Sequence, residues 1–220
     1  IGDETYDDGP TGVGDGFYDL LRRSTSTPKT SAPRPARWLQ QYRAAAEAAD
    51  SIVCITLASN ISASYDSARV AAEMAREERP DVPITVIDSE TAAGSEALIA
   101  LAAARAAAEG RGSSEVESAA RRVHRRVRLL AYLDTLEYVW RSGRVPRVAV
   151  WATSLLNVKP VMEFSRGRVG NLARPRSRGK AMERILTEMG RALGALPAHV
   201  AIMHADAEEE AQGLRRTVES

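Results

Sequence analysis

The chain has 220 residues, with 30 Lys and Arg against 29 Asp and Glu, three His and one Cys. That length is enough for one large or two small α/β domains. A lone cysteine, Cys54, excludes a disulfide framework. No apolar run approaches a membrane span and no signal-like segment is present, so a soluble cytoplasmic protein is expected, read from Ile1 as the ordered or processed part of a longer chain.

The first residues, Ile1 to Gly16, are rich in Gly and Asp and read as loop. Phe17 to Arg23 reads as a short helix, and Ser24 to Pro35 as a Ser/Thr/Pro loop that is either a linker or a binding loop. A helix is expected from Ala36 to Ala49. Ser51 to Leu57 is a continuous apolar run, as in a strand buried on both faces. A serine-rich turn leads from it into a helix, Ala63 to Glu78. Ile84 to Ile87 is a second strand. An Ala-rich helix then runs to about Glu109, with Gly110 as its stop. The next helix runs to about Arg128, capped by Ser113 or Ser114, with Glu117 closing a capping box if Ser114 is the cap.

Past Arg126 the texture changes. Leu129 to Leu133 is a short strand. Thr135 to Trp140 and Arg147 to Leu156 read as helices. Val161 to Phe164 and Val169 to Ala173 read as a hairpin turning at Arg166-Gly167. Arg178 to Leu193 is a helix, His199 to His204 a strand and Ala207 to Val218 a helix. Strand–helix alternation followed by a hairpin predicts an α/β protein of two domains. Residues 1–125 would form a parallel-sheet domain and residues 126–220 a smaller α+β domain.

Two hydroxyl clusters stand out: Thr30-Ser31, and Ser59, Ser62 and Ser64 in the turn before a helix. A strand that turns into a helix leaves backbone N–H groups unpaired, with the positive end of the helix dipole behind them. That is an anion site for a carboxylate or a phosphate. From Arg121 to Lys180 there are about fifteen basic residues against three acids. They are either solvated helix faces or a basic face for an anionic partner. Nucleic acid is a poor partner, because no aromatics interleave the basic residues and no recognition motif is found. Walker A, G-x-G-x-x-G and metal-ligand spacings are also missing, so no nucleotide, cofactor or metal is expected. Cys54 reads as a small buried hydrophobe. His124 and His199 read as surface residues. A serine esterase or acyl-transfer enzyme would use Ser62 with His204, but the G-x-S-x-G elbow is absent. A lipid-free regulatory module that binds an anion or a partner is the other alternative.

The order GDETYDDG, FYDLLRRS, PKTSAP, SASYDSA, TVIDS, LDTLEYVWRSGRV, SLLNVKP, RPRSRGKAM and VAIMHAD resembles the DegV family of bacterial fatty-acid-binding proteins. The resemblance covers Gly2 to about Thr217. It implies a two-domain protein holding one long-chain fatty acid in a tunnel between the domains, with the carboxylate at the hydroxyl site. Thr30 and Ser62 would donate hydroxyls, the N–H of Ala63 would complete the grip, and Ser31 is a weaker candidate. The bound acid would be presented to a fatty acid kinase subunit, which makes the acyl phosphate. The binding protein itself carries no catalytic residue, metal or cofactor. Arg141, Arg144, Arg176 and Arg178 are candidates for a partner-facing basic surface. Ile61, Ile99, Leu101, Leu155 and Met162 are candidates for shaping the tunnel. Two departures from the family pattern are Ala63, where Ser-Gly is usual, and Ser142-Gly143-Arg144, where G-G-R is usual. An acyl chain gains about 0.8 kcal/mol per buried methylene. The head site then needs only to position the carboxylate and satisfy its oxygens.

Overall fold

The computed structural model describes residues 1, 5–6, 16–26, 28–142, 158–194 and 196–219. The chain enters through helix α1 (Phe17–Arg23), then an extended stretch, then helix α2 (Pro35–Ala46). Pro35 opens α2 because its ring presets a helical φ and its missing N–H is one that a helix start leaves unpaired anyway. Strand β1 (Ile52–Thr56) follows, then helix α3 (Ser64–Glu78) and strand β2 (Ile84–Asp88). The strands pair in parallel, from Ile52 opposite Ile84 to Thr56 opposite Asp88. Helix α3 supplies the crossover that parallel strands require.

Both faces of this pair are covered, which explains the unbroken apolar run. Ile52, Cys54, Ile84 and Val86 pack with α2 and α3. Val53, Ile55 and Ile87 pack with helix α4 (Ala93–Ala108) and helix α5 (Ser113–His124). The helix faces toward the strands are built from small residues. Ala68, Ala71, Ala72 and Ala75 make an i, i+3, i+4, i+7 stripe on α3, each at most 5% exposed. Such a stripe lets neighbouring elements approach closely, and a larger side chain would overpack it at a cost of about 1–3 kcal/mol. Scarce aromatics and abundant alanine therefore belong to one packing scheme.

The second sheet has the order β3–β4–β5, all antiparallel: β3 (Leu129–Tyr132), β4 (Val161–Ser165) and β5 (Arg168–Ala173). The short helix α6 (Glu137–Arg141) follows β3. Arg166 and Gly167 make the β4–β5 turn with φ of 50° and 67°. Two positive φ values match the right-handed twist of a hairpin. Helix α7 (Arg178–Leu193) covers the sheet through Ala181, Ile185 and Met189. Helix α8 (Glu208–Glu219) is the last element among the described residues. Among the described residues the two sheets share no strand.

Three expectations are corrected. The stretch His199 to His204 is irregular chain, not a strand. It touches α4 at Gly94, where an added Cβ would lie 3.0 Å from Ala201 Cβ and 3.1 Å from Met203 Sδ, while Val200 and Met203 stay exposed. Helix α5 is capped at Gly112, whose N–H donates to Glu115 Oε2 at 3.4 Å. Glu117 instead pairs with Arg121 one turn on. His124 is a half-buried residue, 19% exposed at its side chain, with Nε2 3.2 Å from Glu90 Oε2. The helix expected over Arg147 to Leu156 lies outside the described residues.

Candidate functional site

The serine turn is well ordered by its own hydrogen bonds. Ala58 donates its N–H to Thr91 O at 2.9 Å, and Ser59 donates to both carboxylate oxygens of Asp88 at 3.3 Å. The turn therefore rests on the end of β2. Ile61 and Ser62 donate to Ala58 O at 3.1 and 3.2 Å. Ser62 Oγ accepts from the Ser64 N–H at 3.1 Å and lies 2.9 Å from Ser64 Oγ. Ser62 thus closes a local hydroxyl turn on the first N–H of α3, whose N-cap is Ala63. Ala63 precedes α3 with φ −76° and ψ 5°, a conformation open to any residue, so the Cβ that replaces the usual glycine is tolerated. Its N–H has no acceptor among the described residues.

Thr30 and Ser31 lie in the exposed extended stretch leading into α2. Ser62 and Ala63 sit together at the entrance of α3. None of these four residues lines the large hollow described next.

That hollow has a volume of about 1580 Å³. The first half of the chain contributes α1, α4 and α5, with Leu98, Leu101 and Ala102 on its α4 side. The second half contributes β3, α6, α7, the 196–206 stretch and α8, including Met182, Ile185 and Met189. It exceeds the roughly 300–1,000 Å³ of an ordinary small-molecule cleft. Of the residues expected to shape a tunnel, Leu101 lines it. Ile99 is fully buried against the parallel strands, Ile61 and Met162 are elsewhere, and Leu155 lies outside the described residues. Helix α4 is apolar almost all round, so its sequence does not mark which face turns to the strands.

A charged cluster stands at the edge of the hollow. Arg178 donates from Nε and Nη2 to the two oxygens of Asp134, both at 3.0 Å, and from Nη1 to Glu210 at 2.6 Å. Lys159 Nζ lies 2.8 Å from Asp134 Oδ1. Arg178 first, and then Lys159, hold the Asp134 carboxyl well below the usual carboxylate range. Arg178 therefore spends its charge within the chain. Arg176 is exposed, with no ion pair among the described residues. Arg141 ends α6, and Arg144 lies outside the described residues.

Ser62 has no hydrogen bond to His204. The His204 ring accepts at Nδ1 from the N–H of Ala207, just before α8, at 3.3 Å, and Ser62 bonds with Ser64. No group of three or more metal-ligating side chains forms among the described residues. No described helix is long and apolar enough to cross a membrane.

Comparison with known proteins matches this architecture. A DegV domain-containing protein of Streptomyces coelicolor is 33% identical over 186 residues, covering 84% of this chain and 64% of its own. A solved structure of a fatty acid (stearic acid)-binding protein from Eubacterium ventriosum is 28% identical with a TM-score of 0.73, covering 81% of this chain and 61% of that one. The chain therefore spans a little under two thirds of these relatives. The Streptococcus pneumoniae Fatty Acid Kinase B3 protein, solved loaded with linoleic acid, shares the fold at a TM-score of 0.86 and 23% identity, over 100% of this chain and 76% of its own. The family model described as "Uncharacterised protein, DegV family" matches residues 1–220. With the two-domain α/β fold shared and a match along its whole length, this chain belongs to the DegV family.

Proposed function

We propose that the chain binds one long-chain fatty acid, with its tail in the hollow between residues 1–125 and 126–220. The observation that carries this reading is the hollow itself, about 1580 Å³ with mostly apolar walls drawn from both halves. Aliphatic walls suit a flexible apolar tail, since each buried methylene contributes about 0.8 kcal/mol. The carboxylate is assigned to the serine turn, outside the lining of the hollow, where the Ala63 N–H, without an acceptor among the described residues, the hydroxyl of Ser62 and the start of α3 favour an anion. Thr30 is the second hydroxyl in this assignment, with Ser31 beside it. Neutral donors satisfy the carboxylate and leave it open to a second protein. The bound acid is then presented to a fatty acid kinase subunit, and Arg176 is a surface cation available to that partner. The chain is given no catalytic step of its own.

Native mass spectrometry of the purified protein tests the reading. The expected spectrum has a mass increment of one fatty acid per chain, restored by oleate after delipidation. A protein that purifies bare and takes up no oleate overturns it.

A further inference from the structure

Three of the five methionines of the chain, Met182, Met189 and Met203, line the hollow. They come from two places. Met182 and Met189 stand seven residues apart on α7 with Ile185 between them, one face of a helix. Met203 comes from the irregular stretch over α4, its Sδ packed against Gly94. Met182 and Met189 are half-buried, Met189 also packing against the core of the second sheet, and Met203 is 64% exposed, so none is fully buried. The stretch that carries Met203 has no strand partners among the described residues.

A methionine side chain is unbranched, rotates about three bonds and fills irregular space at little cost. Surfaces built from it re-pack around ligands of different shape. A stiff pocket does the opposite: it separates ligands differing by one methylene by roughly 10- to 200-fold. The volume of the hollow also leaves room for a tail to bend.

We infer that Met182, Met189 and Met203 make the site tolerant of acyl shape, so that straight saturated and cis-kinked chains of one length bind alike. This rests on the fatty-acid reading above and adds the class of tail accepted. A cis double bond moves the tail sideways at mid-chain. The methionines follow it by changing rotamer, while the branched residues of the wall stay fixed.

The experiment is a competition between stearate and oleate for the delipidated protein, read by native mass spectrometry. The expected affinities differ by less than about fivefold. A difference above about fivefold overturns the inference while leaving fatty-acid binding intact. If neither acid binds, both readings fall. In Met182→Ile/Met189→Ile, which keeps the volume but adds β-branching, the ratio is expected to widen beyond about tenfold. A ratio unchanged in a folded variant overturns the assignment to these residues. Should the double variant fail to fold, Met203→Ile, on an exposed position, is judged by the same ratio.

Discussion

Gly167 donates its backbone N–H to the carbonyl oxygen of Glu90 at 2.7 Å, joining the β4–β5 turn to the loop after β2. Asn60 Nδ2 donates to the Gly167 carbonyl from the serine turn. One hairpin tip thus touches both loops that shape the candidate head site. Glu90 takes a φ of 50°, a strained value for a residue with a Cβ. Removing the Asn60 amide should therefore loosen the link between the two sheets. Asn60→Ala is expected to cost about 0.5–1.5 kcal/mol in urea unfolding and to speed ligand release. Unchanged release would mean that the tip is only a surface contact.

Ser62 has two jobs in this account, bonding the first N–H of α3 and holding the acid. Ser62→Ala should lose about 0.5–1.5 kcal/mol of stability with the bond from the Ser64 N–H. Fatty-acid retention should fall by about 1–3 kcal/mol as a charge-assisted bond is lost. Denaturation of the delipidated protein and direct titration separate the two. A stability loss with unaltered affinity would leave Ser62 with a structural role alone.

Gly94 sits where the 196–206 stretch crosses α4. A Cβ there would meet Ala201 and Met203 at distances tighter than ordinary carbon contacts. Gly94→Val should push that stretch outward and open the wall of the hollow. Faster proteolysis after Leu196 and weaker retention are expected, with α4 still helical by circular dichroism.

The Asp134 carboxyl is depressed in the folded state, chiefly by Arg178. Its contribution to stability is therefore present above the unfolded value of about 3.9 and fades as pH falls through and below it toward the folded value. Asp134→Asn should be less stable than the parent at pH 7. The gap should narrow steadily as pH drops below about 4. Unfolding curves at both pH values check the sign. Asp134 is partly solvated, so a modest gap is expected.

The strands and most helices were legible because period and composition marked them. The run at β1 read as doubly buried, and the structure gives its alternate residues to two helical layers. The Arg166-Gly167 turn was equally plain. The strand expected at His199 to His204 was not realised, because a β pattern in sequence says nothing about whether an edge is available to pair with it. The cap of α5 shifted to Gly112 because Glu115, not Glu117, reaches back to it. The hollow itself was invisible: α4 is apolar almost all round, and the facing of Met182 and Met189 depends on where the second sheet packs. Arg178 is exposed, but its ion-pair partners Asp134 and Glu210, 44 and 32 residues away, were not legible in the sequence.

The most direct test is photo-crosslinking with a fatty acid carrying a diazirine near its ω end, followed by peptide mapping. Labelling concentrated on α4 around Leu98 to Ala102 and on α7 around Met182 to Met189 is the predicted result. Labelling confined to the α2 and α3 side of the parallel strands, or scattered over the surface, would contradict a tail lodged between the two halves.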